Sequence, residues 1–207
     1  MNDQYTFSEL ADLIESLSPR YSQKIIAIDG LGGSGKKTFT EALHRAVPHS
    51  AVVHIDDFVK REHERVTKTP ELVDPNIDWD RFEREIITPL RYSAPIVYHK
   101  YNSLTGELGE SVKLSPSVPI FVEGGFVTQN RFAENYDFKI WIESSDSVRM
   151  TRILESKGEK KWKEWQDSER PIEERYVEHE KHNLRADLVV DGDHANFKEG
   201  YYGVIKV

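Results

Sequence analysis

Short apolar runs alternate along the chain with segments whose apolar residues recur at helical spacing. The apolar runs lie at residues 24–28, 51–55, 118–122, 139–142 and 186–190. Each has the length of a buried strand. The segments at 38–46 and 78–91, and the one that starts near residue 146, have the periodicity of helices. Because strands that alternate with helices imply right-handed crossovers, the pattern predicts an α/β fold with a doubly wound parallel sheet.

Two segments stand outside this alternation. Apolar residues on one face predict an N-terminal helix over residues 7–18, which Ser18-Pro19 ends. Two extended runs between about residues 96 and 115 surround Leu-Thr-Gly-Glu-Leu-Gly, which predicts an inserted β-hairpin. A chain of 207 residues has room for one substantial core, so we expect a single domain over residues 1–207.

Composition narrows the class of function. The net charge of −8 would repel a phosphate backbone, which argues against nucleic acid as a partner. No stretch approaches the roughly 20 apolar residues that span a bilayer, which argues against the membrane. The absence of cysteine removes disulfides and thiolate metal sites and favours the cytoplasm. The sequence leaves homo-oligomerisation open.

The strongest chemical signal follows the first apolar run. Residues 30–36 read Gly-Leu-Gly-Gly-Ser-Gly-Lys, which is the G-x4-G-K spacing of a Walker A loop. Glycines let the backbone aim N–H groups at phosphate, and Lys36 would reach the β and γ oxygens. A ligand-free glycine-rich turn is the alternative, but the position between a strand and a helix favours nucleotide binding. The predicted nucleotide-binding residues are Gly30, Leu31, Gly32, Gly33, Ser34, Gly35, Lys36, Lys37 and Thr38.

One position departs from the Walker A pattern. Lys37 stands where a Ser or Thr hydroxyl would hold Mg²⁺, and Thr38 comes one residue later. Adjacent residues on a helix point about 100° apart, so Thr38 does not simply take over that geometry. The motif alone therefore does not predict how the metal is held.

Acidic residues stand at the ends of two more predicted strands. Asp56 and Asp57 follow the run at 51–55, and Glu123 closes the run at 118–122. A phosphoryl transferase needs one carboxylate for the metal and usually another near the attacking hydroxyl. A helix cap or a solvated loop charge is the alternative for each residue taken alone. Their joint position beside the Walker A loop favours a catalytic site.

Together these residues resemble the uridine kinase and phosphoribulokinase-like family of P-loop kinases. The resemblance runs from about Ile25 to Asp191 and depends on the order of its elements. These are Ile-Asp-Gly-Leu-Gly-Gly-Ser-Gly-Lys at 28–36, His54 to Phe58, Asp78-Trp79 with Pro89-Leu90, Tyr98 to Tyr101, Val-Glu-Gly at 122–124, Tyr136-Asp137 and Ala186-Asp187.

The resemblance implies a P-loop NTPase fold with a helical lid, and ATP and Mg²⁺ as cofactors. It implies phosphoryl transfer to a hydroxyl of a small metabolite, with a nucleoside as first choice. A sugar phosphate, pantothenate or a related alcohol stays open as acceptor, and ATP is not separated from GTP.

The resemblance also implies roles for individual residues. Asp56 would accept the proton of the substrate hydroxyl, with Asp57 as the reserve candidate. Thr38, Asp56 and Glu123 would surround Mg²⁺, directly or through water. The acceptor would be held by Asp57 and by three residues of the hairpin, for which strand packing is the alternative. These three are Tyr98, His99 and Tyr101.

The lid implied by the resemblance covers about residues 149–176. It starts with Arg149 and Arg152, and Arg152 would offset charge on the transferred phosphoryl group. Ser156-Lys157 stands where the family usually has Arg-Asp, so the lid is incomplete. The charged residues that follow are typical of a solvated helical face, and Trp162 and Trp165 of packing. Those charged residues are Lys160, Lys161, Lys163, Arg170 and Arg175.

Two alternatives to a kinase remain. A nucleotide-binding module that has lost catalysis is favoured by the departures at Lys37 and Ser156-Lys157, which both fall on catalytic parts. The second alternative is a P-loop protein that acts on nucleic acid, and the acidic net charge of the chain argues against it.

Overall fold

The computed structural model describes residues 4–66, 73–115 and 118–206. Its centre is a seven-stranded sheet in the order β1-β9-β8-β7-β2-β6-β3. The sheet strands are β1 (Gln4–Thr6), β2 (Ile25–Gly30), β3 (Ala51–His54), β6 (Ile120–Glu123), β7 (Phe138–Glu143), β8 (Leu188–Asn196) and β9 (Tyr201–Lys206). A separate hairpin consists of β4 (Ile96–Asn102) and β5 (Glu107–Leu114).

The middle of the sheet is parallel. Strand β2 lies between β6 and β7, with Ile25 opposite Ile120 and Ile26 opposite Phe138, and β3 and β8 extend the parallel part on either side. The predicted parallel α/β sheet is therefore confirmed. Strands β1 and β9 add an antiparallel edge that the sequence pattern did not indicate.

Helices pack on both faces of this sheet. They are α1 (Phe7–Ser16), α2 (Lys36–Ala46), α3 (Trp79–Phe82), α4 (Thr88–Arg91), α5 (Asp146–Glu164), α6 (Arg170–Glu180) and α7 (His182–Arg185). Helix α1 begins at a capping box in which Thr6 and Glu9 exchange hydrogen bonds. π-helical turns over Glu83–Ile87 and Trp165–Glu169 join α3 to α4 and α5 to α6.

The side chains of β2 point alternately to the two faces of the sheet, and each face packs into its own layer of the core. Ile25 and Ala27 face the layer formed with α3, α4 and the hairpin, whereas Ile26 and Ile28 face the layer formed with α1 and α2. Successive side chains of a strand point to opposite faces, so a strand buried on both sides reads as one continuous apolar run. This double burial fixes β2, and with it the loop that follows β2, in the centre of the molecule.

The segment from α5 to α6 covers the carboxyl ends of the strands. Helix α5 is interrupted at Gly158, whose φ of 76° is far from helical values. Pro171 lies in the first turn of α6, directly after the π-helical turn. In the described ranges, no helix combines the length and apolar character that crossing a membrane requires.

Candidate active site

The loop between β2 and α2 has a backbone shape that depends on glycine. Gly33 and Gly35 have φ of 79° and 101°, in the left-handed region that side chains disfavour. A Cβ on Gly33 would lie 2.6 Å from the carbonyl oxygen of Arg149. Gly35 is the N-cap of α2, so the loop ends at free N–H groups of a helix N-terminus. The loop therefore fits an anion such as the phosphate chain of a nucleotide.

Lys36 lies over this loop. Its ammonium Nζ donates a hydrogen bond to the carbonyl oxygen of Leu31 at 2.9 Å, and the side chain is half-buried. The ammonium thus stands beside the Leu31–Gly32 part of the loop, where it adds positive charge to that of the helix N-terminus. Ser34, in the same loop, is buried, and its Oγ has no hydrogen-bond partner among the described residues.

Asp29 anchors the base of the loop. This fully buried carboxylate accepts hydrogen bonds from the backbone N–H of Gly30 at 2.6 Å and of Phe126 at 3.1 Å. It also accepts from the hydroxyl of Thr128 at 2.7 Å and that of Tyr176 at 2.8 Å. Asp29 therefore ties the end of β2 to the segment after β6 and to α6.

His182 extends this network. Its Nδ1 lies 3.0 Å from the hydroxyl of Thr128, and its ring stacks on Tyr176 with centroids 3.9 Å apart. Trp141 also stacks on His182, with centroids 5.6 Å apart. Burial lowers the pKa of His182 to about 4, so the ring is neutral at pH 7.

Both the N–H and the carbonyl oxygen of Gly32 form hydrogen bonds to side chains of the lid. Its N–H donates to Oε1 of Glu173 at 2.6 Å, and its carbonyl oxygen accepts from Nε of Arg149 at 2.8 Å. Arg149 and Glu173 are 3% and 6% exposed and form an ion pair with each other, and Arg149 also pairs with Asp146 at 2.9 Å. We call Gly32, Arg149 and Glu173 the Gly32 clamp.

Arg152, the predicted catalytic arginine of the lid, also contacts the loop. It donates to the carbonyl oxygens of Gly33 at 3.3 Å, Ser34 at 3.2 Å and Gly192 at 2.8 Å. These contacts are with carbonyl groups of the loop and of β8. Its contact with the phosphoryl group stays a prediction.

The two predicted catalytic aspartates have different surroundings. Both lie in the 3-10 turn Ile55–Phe58 that follows β3, where Asp56 is exposed and Asp57 is half-buried. Burial raises the pKa of Asp57, and the hydroxyl of Tyr98 donates to its carboxylate at 3.2 Å. Nη2 of Arg81 donates to the backbone carbonyl of Asp57 at 2.6 Å, which fixes the turn. Asp56 is thus the aspartate open to a substrate, and Asp57 the one whose position is fixed.

Glu123 lies at the end of β6 and is paired with a histidine. Its Oε2 is 2.7 Å from Nδ1 of His54, and this contact raises the pKa of His54. The positive charge of Lys37 acts on the same imidazole in the opposite direction, so Lys37 lies near this pair.

A resident Mg²⁺ would have few oxygen ligands at this edge of the sheet. Within the described residues, no group of three or more His, Asp or Glu is placed to hold a metal ion. An ammonium at position 37 supplies charge without a lone pair. The predicted metal ligands Thr38, Asp56 and Glu123 therefore remain a prediction.

The residues predicted to hold the acceptor lie on the hairpin and beside it. Tyr98 is buried and stacks on Phe58 with centroids 5.3 Å apart. His99 is exposed, and the hydroxyl of Tyr101 contacts Arg65, whose guanidinium lies 5.0 Å from the centre of the Tyr101 ring. The predicted alternative of strand packing thus describes Tyr98 well.

A cleft of about 670 Å³ opens between the segment after β3 and the lid. Phe126 and Glu173 line it, and Glu173 also accepts a hydrogen bond from the N–H of Gly32, so the cleft shares one residue with the contacts of the nucleotide loop. Its charged lining consists of five carboxylates and two guanidinium groups. These are Asp74, Glu164, Asp167, Glu169 and Glu173, with Arg65 and Arg175.

The carboxylates of this cleft influence one another. Burial raises the pKa of Asp74, and the charge of Asp56 raises it further. Although part of Glu169 is exposed, the surrounding protein raises its pKa, and the charges of Glu173 and Asp74 add to this effect. Carboxylates therefore outnumber guanidinium groups along the lining of the cleft.

The residues that sequence reasoning missed are Asp29, Glu173 and His182 in their contacts with the loop and lid. Asp29 carried one recognisable signal, since a carboxylate that ends an entirely buried strand must be hydrogen-bonded. Glu173 carried none, because it lies in a run of mixed charge that is typical of a solvated surface.

No family model matches the chain. Among curated proteins the chain is similar to the uridine kinase of Borrelia turicatae (strain 91E135), with 27% identity over 139 residues, 64% of this chain and 66% of that protein. The uridine kinase of Borreliella burgdorferi (strain ZS7) is 26% identical over 140 residues, 63% of this chain and 66% of that protein. The chain thus spans slightly less than two thirds of the length of these relatives.

Two solved structures share the fold. One is described as a possible uridine kinase from Bacillus stearothermophilus, with a TM-score of 0.66, 22% identity, and coverage of 88% of this chain and 96% of that one. The other is described as a candidate fructose transport system kinase from Silicibacter sp. TM1040, with a TM-score of 0.62, 20% identity, and coverage of 89% and 98%. Together the comparisons confirm the predicted P-loop kinase fold and the predicted resemblance to uridine kinases.

Proposed function

We propose that this chain, which has a P-loop kinase fold and resembles uridine kinases, transfers the γ-phosphoryl group of ATP to a hydroxyl group of a small metabolite. The observation that carries the proposal is the glycine-shaped loop between β2 and α2, with Lys36 folded over it. Glu123 and the two aspartates lie at the ends of neighbouring parallel strands, where ligands of such sheets bind.

Each residue of the site has a proposed task. Lys36 and the loop N–H groups hold the phosphates, and Asp56 accepts the proton of the attacking hydroxyl, with Asp57 as the reserve candidate. Arg152 offsets charge on the phosphoryl group from the lid side. Thr38, Asp56 and Glu123 would hold Mg²⁺, which when bound neutralises phosphate charge.

The acidic cleft supports a nucleoside as the acceptor. A sugar phosphate or pantothenate would add negative charge to that of ATP, in a cleft whose lining has five carboxylates and only two guanidinium groups. A nucleoside is uncharged and can use carboxylates as hydrogen-bond acceptors for its hydroxyl groups. Tyr98, His99 and Tyr101 would reach the acceptor from the hairpin side, as the resemblance implies. The absence of cysteine supports a cytoplasmic location.

A nucleotide-binding module without catalysis is the second candidate. It is favoured by the ion pair of Glu123 with His54 and by the presence of Lys37, which together leave little for a metal to bind. Turnover separates the two candidates, since both bind ATP and only the kinase produces ADP in the presence of an acceptor.

The test is a coupled ADP assay with a nucleoside, a sugar phosphate and pantothenate in turn, together with ATP titration calorimetry. Lys36→Ala should weaken ATP binding roughly tenfold or more, because a charge-assisted contact is worth about 1.5–3 kcal/mol. Lys163→Ala, in an exposed part of the lid, is the matched control. Equal ATP affinity in the native protein and Lys36→Ala would refute nucleotide binding at this loop.

A further inference from the structure

The indole N–H of Trp165 is a buried hydrogen-bond donor without an acceptor among the described residues. The side chain as a whole is 3% exposed. A buried polar group without a partner lowers stability, and the few that folded proteins retain call for an explanation such as a catalytic role. The position of this N–H relative to the nucleotide loop indicates what it can bind.

Nε1 of Trp165 lies 3.1 Å from the point where a Cβ on Gly32 would stand. Nζ of Lys36 donates to the carbonyl oxygen of Leu31, the residue just before Gly32. The lysine of a Walker A loop reaches the β and γ oxygens of the nucleotide. The terminal phosphate of a bound triphosphate therefore belongs on the Leu31–Gly32 side of the loop, beside the indole N–H.

The arginines around Trp165 are engaged elsewhere. Arg149 lies 5.4 Å and Arg170 5.9 Å from the centre of its ring, but Arg149 is paired with Glu173 and Asp146, and Arg170 with Asp146 and Glu174. Trp165 begins the π-helical turn Trp165–Glu169, a feature frequent at functional sites. Oε1 of Glu173 lies on the same side of Gly32, but it accepts from the N–H of Gly32, and Nε1 of Trp165 has no hydrogen-bond partner among the described residues.

We propose that Trp165 is a catalytic residue of the lid, whose Nε1–H donates a hydrogen bond to an oxygen of the γ-phosphoryl group of ATP. The proposal rests on the proposed function. In the transfer, the acceptor hydroxyl oxygen forms a bond to the γ-phosphorus, and the hydroxyl proton goes to Asp56. The bond from the γ-phosphorus to the bridging oxygen breaks, and its electron pair stays on ADP. The donor faces the oxygens on which charge is spread during this step.

The test compares the affinities for ATP and ADP, measured by calorimetry in the native protein and in Trp165→Phe. Phenylalanine keeps an aromatic ring at this position, and it removes the N–H donor together with one ring of the buried indole. We expect affinity for ATP to fall roughly tenfold, and affinity for ADP, which lacks the γ-phosphate, to change less than about twofold. Trp162→Phe makes the same substitution one helical turn away and should change neither affinity.

Three outcomes would overturn the proposal. Unchanged affinity for ATP would show that the N–H does not face the γ-phosphate. An equal loss for ATP and ADP would show that the indole only packs against the loop. If Trp165→Phe unfolds, 3-benzothienylalanine at residue 165 keeps the bicyclic shape without the N–H, and unchanged ATP preference in that protein would overturn the proposal. A native protein that binds neither nucleotide would instead refute the proposed function.

Discussion

The ion pair of Arg149 and Glu173 is the contact whose removal should disturb the protein most clearly. Both side chains are almost completely buried, and both contact Gly32. Removing one member of a buried ion pair costs about 3–5 kcal/mol, because the other charge is left without compensation. Asp146 still accepts from Arg149 in the variant, so for Glu173→Ala we expect the lower value, about 3 kcal/mol.

Urea unfolding measures this loss. For a slope of roughly 1–3 kcal/mol per M, a loss of about 3 kcal/mol lowers the unfolding midpoint by about 1–3 M. Glu174→Ala is the matched control, because the neighbouring Glu174 is exposed and forms a surface pair with Arg170, worth about 0–1 kcal/mol. Glu173→Gln keeps an oxygen for the N–H of Gly32 and should lose less stability than Glu173→Ala. If Glu173→Ala and Glu174→Ala unfold at the same urea concentration, the Gly32 clamp does not stabilise the protein as we reason.

Three further predictions concern catalysis, the metal and pH. Asp56→Asn should lower turnover by roughly 10²–10⁴ in steady-state kinetics and leave ATP affinity intact in calorimetry. If Asp56→Asn is active and Asp57→Asn is inactive, the general base is Asp57. Lys37→Thr should raise turnover and sharpen its dependence on Mg²⁺ in a titration of the metal, whereas an unchanged Mg²⁺ dependence would show that position 37 does not limit the site. The pKa of His182 is about 4 when folded and 6.5 in its unperturbed state, so the unfolded chain binds more protons between these values. Stability should therefore fall as pH drops from about 6.5 to 4, and urea unfolding of His182→Phe should show a weaker fall over this range, whereas an equal fall would exclude His182 as the cause.

The sequence predicts the elements whose chemistry is local. Gly30 to Lys36 are contiguous, and the apolar run before them announces a buried strand, so the loop and its place at the sheet edge follow from the pattern alone. The alternation of side chains also predicts the two strands of the hairpin. It does not predict that Tyr98 faces the core and stacks on Phe58, because alternation defines two faces of a strand without saying which of them is buried.

The contacts of the lid depend on geometry that periodicity does not contain. Glu173 stands 24 positions after its partner Arg149, beyond the break at Gly158 and a π-helical turn, so no spacing rule brings them together. The local pattern around Glu173 is typical of a solvated helix, and its neighbour Glu174 is indeed exposed. Which carboxylate of such a run is buried can be identified only from the position of the helix against the loop.

Helix α6 contacts the nucleotide loop at its tip and at its base. Glu173 accepts from the N–H of Gly32 at the tip, and Tyr176, three residues later on the same helical face, donates to Asp29 at the base. The lid helix and the loop therefore form one hydrogen-bonded unit, in which a shift of α6 must break contacts at both ends. Trp165 enters this unit from the turn that precedes α6 and approaches the tip at Gly32. The same contacts that stabilise the fold thus set the positions of the groups proposed to meet the phosphates, and substitutions of Glu173 or Tyr176 should change stability and ATP affinity together.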